Sequence, residues 1–63
     1  MIKRKDIDRS VVVIISEKET VVGKITDVDE EQGTFRLVTN HGKEYQFTET
    51  KVNIKFKGDV IGS

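Results

Sequence analysis

Residues 20–39, TVVGKITDVDEEQGTFRLVT, read as a long strand, a turn and a second strand. The first half is rich in β-branched side chains, which favour extended backbone because branching at Cβ stiffens χ1. Strict alternation along it would put Ile25 and Val28 on opposite faces. A β-bulge near Thr26 or Asp27 turns both inward, and Gly23 permits a sharp bend in the same strand. The turn falls at residues 30–33. Beyond it Phe35 and Leu37 alternate with Thr34, Arg36 and Val38, a half-buried strand.

Upstream, residues 11–15 are VVVII, five β-branched side chains in a row. Without alternation they suggest a strand buried on both faces. Glu17, Lys18 and Glu19 then make a charged connection with no Gly or Asn, so a longer loop is expected rather than a tight two-residue turn. Residues 1–10 carry Ile2 and Ile7 five positions apart, which fits neither helical nor strand spacing. A short helical turn and a loose arm both suit that spacing.

Downstream, Asn40, His41 and Gly42 form a turn, since Gly takes positive φ freely and Asn tolerates it. Tyr45 and Phe47 alternate with Glu44, Gln46 and Thr48, and Val52, Ile54 and Phe56 with Asn53, Lys55 and Lys57. A short polar link at residues 48–51 joins these last two strands. Val60 and Ile61 are expected to form a short edge or a tail. The expected inward set is Val12, Ile14, Val22, Ile25, Val28, Phe35, Leu37, Tyr45, Phe47, Val52, Ile54 and Phe56.

Sixty-three residues make one domain near the lower limit for folding without a staple. There is no Cys, hence no disulfide and no thiolate ligand or nucleophile, and a single His leaves little for a zinc site. No stretch approaches the ~20 apolar residues of a membrane helix. A soluble, cytoplasmic chain with no membrane partner is expected. The formal net charge is zero, but the charge is uneven. Residues 1–10 carry four bases and two acids, residues 16–33 six acids and two bases, and residues 51–58 three lysines and no acid. A neutral total argues against nonspecific coating of nucleic acid, and the uneven distribution leaves room for a localised basic site.

The pattern VVGKITDVDEEQGTFRLV at residues 21–38 resembles the first motif of the Sm-like (Lsm) family: an apolar pair, Gly, two apolar positions, Asp, a short loop and an apolar strand. The order of elements is similar too, an N-terminal segment before five bent strands with a very short link between the last two. Five strands joined mostly by short loops must curl to bury their apolar face, and with the resemblance this gives an expected all-β fold, a small, five-stranded, strongly bent barrel of the SH3-like or Sm-like kind with a short N-terminal arm or helical turn. Residues 1–10 would be the arm, 11–57 the barrel and 58–63 a tail. Asp29 matches the family's loop Asp, but Gly33 stands where the motif has Asn. Thr48, Glu49, Thr50 and Lys51 replace the Arg-Gly type signature before the last strand.

The chemistry-bearing candidates are few. His41, between Asn40 and Gly42, reads as a turn residue. The acidic run Asp27, Asp29, Glu30 and Glu31 lacks the alternating ligands and central Gly of a calcium loop and reads as a solvated hairpin. No phosphate loop, nucleophile–base pair or metal spacing occurs, so no enzyme activity and no cofactor are expected. The basic set is Lys51, Lys55 and Lys57, with Lys3, Arg4, Lys5 and Arg9 from the arm. Lys55 and Lys57 share a strand face with Asn53, a stripe suited to phosphates. Two functions follow: a binding module for RNA or another single-stranded nucleic acid through that stripe and the arm, or a protein-interaction or homo-oligomeric assembly module acting through a strand edge.

Overall fold

The structure, a computed structural model, describes residues 2–57; the expected tail at 58–63 lies outside the described residues. Five strands carry the fold: β1 (Ser10–Ser16), β2 (Glu19–Asp29), β3 (Thr34–Thr39), β4 (Glu44–Thr48) and β5 (Asn53–Phe56). One 3-10 turn, Arg4–Asp6, precedes β1 and another, Glu49–Lys51, links β4 to β5. All pairings are antiparallel, in the order β4-β3-β2-β1-β5. The all-β, five-stranded class expected from the sequence is present, with its ladder open between β4 and β5 among the described residues.

The bulge in β2 sits at Thr26. Ile25 pairs with Leu37 and Asp27 with Arg36, so Thr26 has no partner in the ladder and its hydroxyl donates to the carbonyl of Arg36 at 3.4 Å. The extra residue puts Ile25 and Val28 on the same buried side. β2 pairs with β1 from Glu19 to Lys24 and with β3 from Gly23 to Asp29, so one bent strand serves both halves of the sheet. In a flat sheet the edge strands would lie about 19 Å apart. Here Tyr45 and Phe47 of β4 and Ile54 and Phe56 of β5 pack against one cluster built on Val11, Val13, Ile25, Val28, Phe35 and Leu37, so the sheet wraps around its core.

Three sequence expectations are corrected. In β1 and the start of β2 the inward residues are Val11, Val13 and Val21, not Val12, Ile14 and Val22; Val22 is 41% exposed. Ser16 pairs with Glu19, so Glu17 and Lys18 form a two-residue connection instead of a longer loop. Neither takes positive φ; a register shift between Ile14 and Ser16 accommodates the connection. Gly23 also permits a close approach: a Cβ there would lie 2.4 Å from the Val38 carbonyl oxygen. Finally, Ile2 is part of the core, and the arm is docked through it.

That docking uses acids from two loops. Ile2 N–H donates to Glu49 Oε2 at 2.8 Å and Arg4 N–H to Glu30 Oε2 at 2.9 Å. Asp8, with φ of 80°, donates its N–H to Ile25 O, and Ile25 N–H donates to Arg9 O, so the arm runs beside β2 at the bulge. The turns fall where expected. Gly33 (φ 70°) donates to Asp29 O, while the Asp29 carboxylate accepts from Glu31 and Gln32 N–H. Gly42 (φ 81°) donates to Thr39 O.

Candidate binding edge

The ladder itself shows which backbone groups face outward. Lys57 N–H donates to Ser10 O at 2.8 Å, which makes Ser10 and Lys57 a hydrogen-bonded pair. Bonded and non-bonded pairs alternate in antiparallel ladders, so Val12–Lys55 and Ile14–Asn53 are bonded pairs, whereas Val11–Phe56 and Val13–Ile54 are not. Ile54 and Phe56 therefore aim their N–H and C=O groups away from β1, at the open side of β5. By the same logic Thr39 N–H on Lys43 O leaves Glu44, Gln46 and Thr48 facing the open side of β4.

A groove runs along the β5 edge. Ile2, Val52, Ile54 and Phe56 supply its apolar wall, and Glu49, Thr50 and Asn53 its polar lining, around a volume of about 310 Å3. Among the described residues, an unpaired strand edge and an apolar groove thus lie side by side. At β4 the inner face is aromatic: Phe47 lies 5.7 Å from Phe35 and stacks on Tyr45 at 5.7 Å and 5°, with Lys43 Nζ 5.3 Å from the Tyr45 ring centre.

The structure divides the basic residues singled out from the sequence. Lys55, Lys57 and Asn53 lie exposed on the outer face of β5, and Lys51 is exposed in the turn before it. Arg9 is engaged: its Nη1 meets Asp6 Oδ1 at 2.8 Å and its guanidinium lies 4.0 Å from the centre of the Phe56 ring. Arg4 lines a groove with Asp27, Asp29, Glu30 and Glu31, an acidic setting. Lys3 and Lys5 are exposed beside Asp6.

Asp6 is 4% exposed, and its carboxylate lies below the ordinary range. The N–H of Lys3 donating to Oδ2 is the largest cause, opposed by burial and reinforced by Arg9 and Lys5.

Sequence reasoning missed Lys24. It pairs with Ser10, whose other neighbour across the ladder is Lys57, so Lys24 joins the β5 lysines on the outer face. Its local neighbourhood is acidic, and only the strand register reveals the juxtaposition. His41 is exposed in the turn and donates its N–H to Thr39 Oγ1. Among the described residues no three His, Asp or Glu side chains converge as metal ligands, and no helix is long and apolar enough to cross a membrane. The chain matches no family model, no curated protein and no solved structure.

Proposed function

We propose that this chain is a non-enzymatic protein-interaction module that takes its partner by strand addition to the open edge of β5. The observation that carries this reading is the pair Ile54 and Phe56, whose outward backbone groups border an apolar groove. An extended segment laid on that edge gains main-chain hydrogen bonds and buries alternate side chains in the groove. We also read the fold as a small barrel of the Sm-like or SH3-like kind, on the strand order, the bent β2 and the short β4–β5 link.

Amide hydrogen exchange tests the edge directly. In dilute protein the Ile54 and Phe56 amides exchange fast while those of Val12 and Lys55 are protected, and adding partner or raising concentration slows the first pair. Protection of Ile54 and Phe56 at high dilution would mean that the edge is already covered, and the reading would fail.

One observation favours a nucleic-acid reading as the second choice: Lys24, Lys55 and Lys57 share one face. On that reading RNA affinity falls with salt, with a slope of about 0.7 per phosphate contacted on a single strand. Replacing Lys55 and Lys57 by Glu abolishes it. Light-scattering mass with and without a mixed single-stranded RNA pool at low and moderate salt separates the readings. A mass that ignores RNA at every salt leaves only the protein partner.

A further inference from the structure

The proposed β5 edge has two faces of opposite character, and a strand added to it must match both. We infer that its occupant is an extended segment of another protein in which apolar residues alternate with Asp or Glu; the inference rests on the strand-addition reading above. On the inner face Ile54 and Phe56 present apolar side chains beside Val52 and Ile2. On the outer face Lys55 and Lys57 follow Asn53, Lys51 is exposed in the turn before them, and Lys24 stands across Ser10 from Lys57. Glu49 lines the groove, and its Oε2 accepts from Ile2 N–H.

Side chains directly opposite in an antiparallel pair have Cβ atoms about 4.5–5.5 Å apart, where opposite charges stabilise and like charges oppose pairing. Alternation does the rest. Residues of the incoming strand that face out meet the row Asn53, Lys55 and Lys57, and those that face in meet the groove. A second copy of this chain fits less well. The open side of β4 offers one carboxylate, Glu44, followed by Gln46 and Thr48, against three lysines.

Fluorescence anisotropy with labelled seven-residue peptides tests this on the full chain. The probes alternate Val with Glu, Val with Lys, or Val with Thr, and a fourth is the Val/Glu peptide N-methylated along its backbone. The Val/Glu peptide is expected to bind at least about tenfold more tightly than Val/Lys, with an advantage that shrinks as salt rises. The double variant K55E/K57E, checked for an unchanged circular dichroism spectrum, should reverse the order, and the N-methylated peptide should not bind.

Equal binding of all three alternating peptides would overturn the acidic preference and leave strand addition standing. Equal binding of the N-methylated and parent peptides, or no binding by any peptide at a monomeric mass, would overturn strand addition itself. A concentration-dependent mass that excludes the peptides would assign the edge to a second copy and overturn the inferred partner.

Discussion

The backbone N–H of Glu49 donates to the carbonyl oxygen of Gly33 at 2.8 Å, joining the β4–β5 link to the β2–β3 turn. The side chain of the same Glu49 holds Ile2 N–H, so one residue ties two connections and the N-terminal arm together. This junction stands at the polar end of the groove beside β5.

Glu49→Ala keeps the backbone bond and releases Ile2 N–H, at an expected cost of about 1–2 kcal/mol. For a domain this small that is a fall of several degrees in Tm, roughly 4–8 °C per kcal/mol. Glu49→Gln keeps an acceptor and should recover most of the loss. Thermal unfolding by circular dichroism reads both, and an unchanged Tm for the alanine variant would show that the clip contributes nothing.

Gly23→Ala places a methyl group 2.4 Å from the Val38 carbonyl oxygen and 2.9 Å from Leu37 Cδ1. The obstacle is backbone in a paired strand, so β3 must move away. A loss of about 1–3 kcal/mol is expected. Gly42→Ala meets nothing within 4 Å and is disfavoured only by its φ of 81°, a cost of about 1–2 kcal/mol. Urea midpoints compare them, and a Gly23 variant as stable as wild type would refute the close approach.

Val21 and Val22 are neighbours with opposite fates, 8% and 41% exposed. Val21→Asp buries an unpaired carboxylate in the core and should abolish the cooperative transition. Val22→Asp faces solvent and should change stability by no more than about 0.5 kcal/mol. The reverse order would mean that β2 is packed in the other phase.

Asp6 makes stability depend on pH in the acid range. Its folded carboxylate has a pKa held below the ordinary aspartate value, so the unfolded chain binds the proton more readily. The contribution is fully present above that unfolded value and is lost as pH falls through the folded one. Asp6→Asn should therefore flatten the decline in Tm below about pH 4. It also weakens the grip on Arg9, whose pair with Asp6 is 2.8 Å long. A variant that keeps the wild-type acid slope would assign that slope to other carboxylates.

Much of the strand plan is legible locally. Gly33 and the Asn40, His41, Gly42 triplet mark the turns, and the spacing of Ile25 and Val28 calls for the bulge found at Thr26. The phase of β1 is not legible, because five β-branched residues in a row suit either face equally well. Its pairing with β2 and β5 selects Val11 and Val13 as the buried pair. The short Glu17–Lys18 connection was hidden for a related reason: the adjustment that accommodates it is a register shift between Ile14 and Ser16, a property of two strands at once.

The lysine stripe of β5 is readable from alternation alone, but the separation of Arg4 and Arg9 from it is not. Arg4 lines a groove with acids of another turn, and Arg9 pairs with Asp6 of the arm itself. Alternation, Cβ branching and turn residues act within a few positions, so the sequence by itself determined the strands, the two glycine turns and the bulge. Which face is core, which edge is open among the described residues and which lysines share a surface were decided only by tertiary structure, because each depends on backbone pairing between residues far apart in the chain.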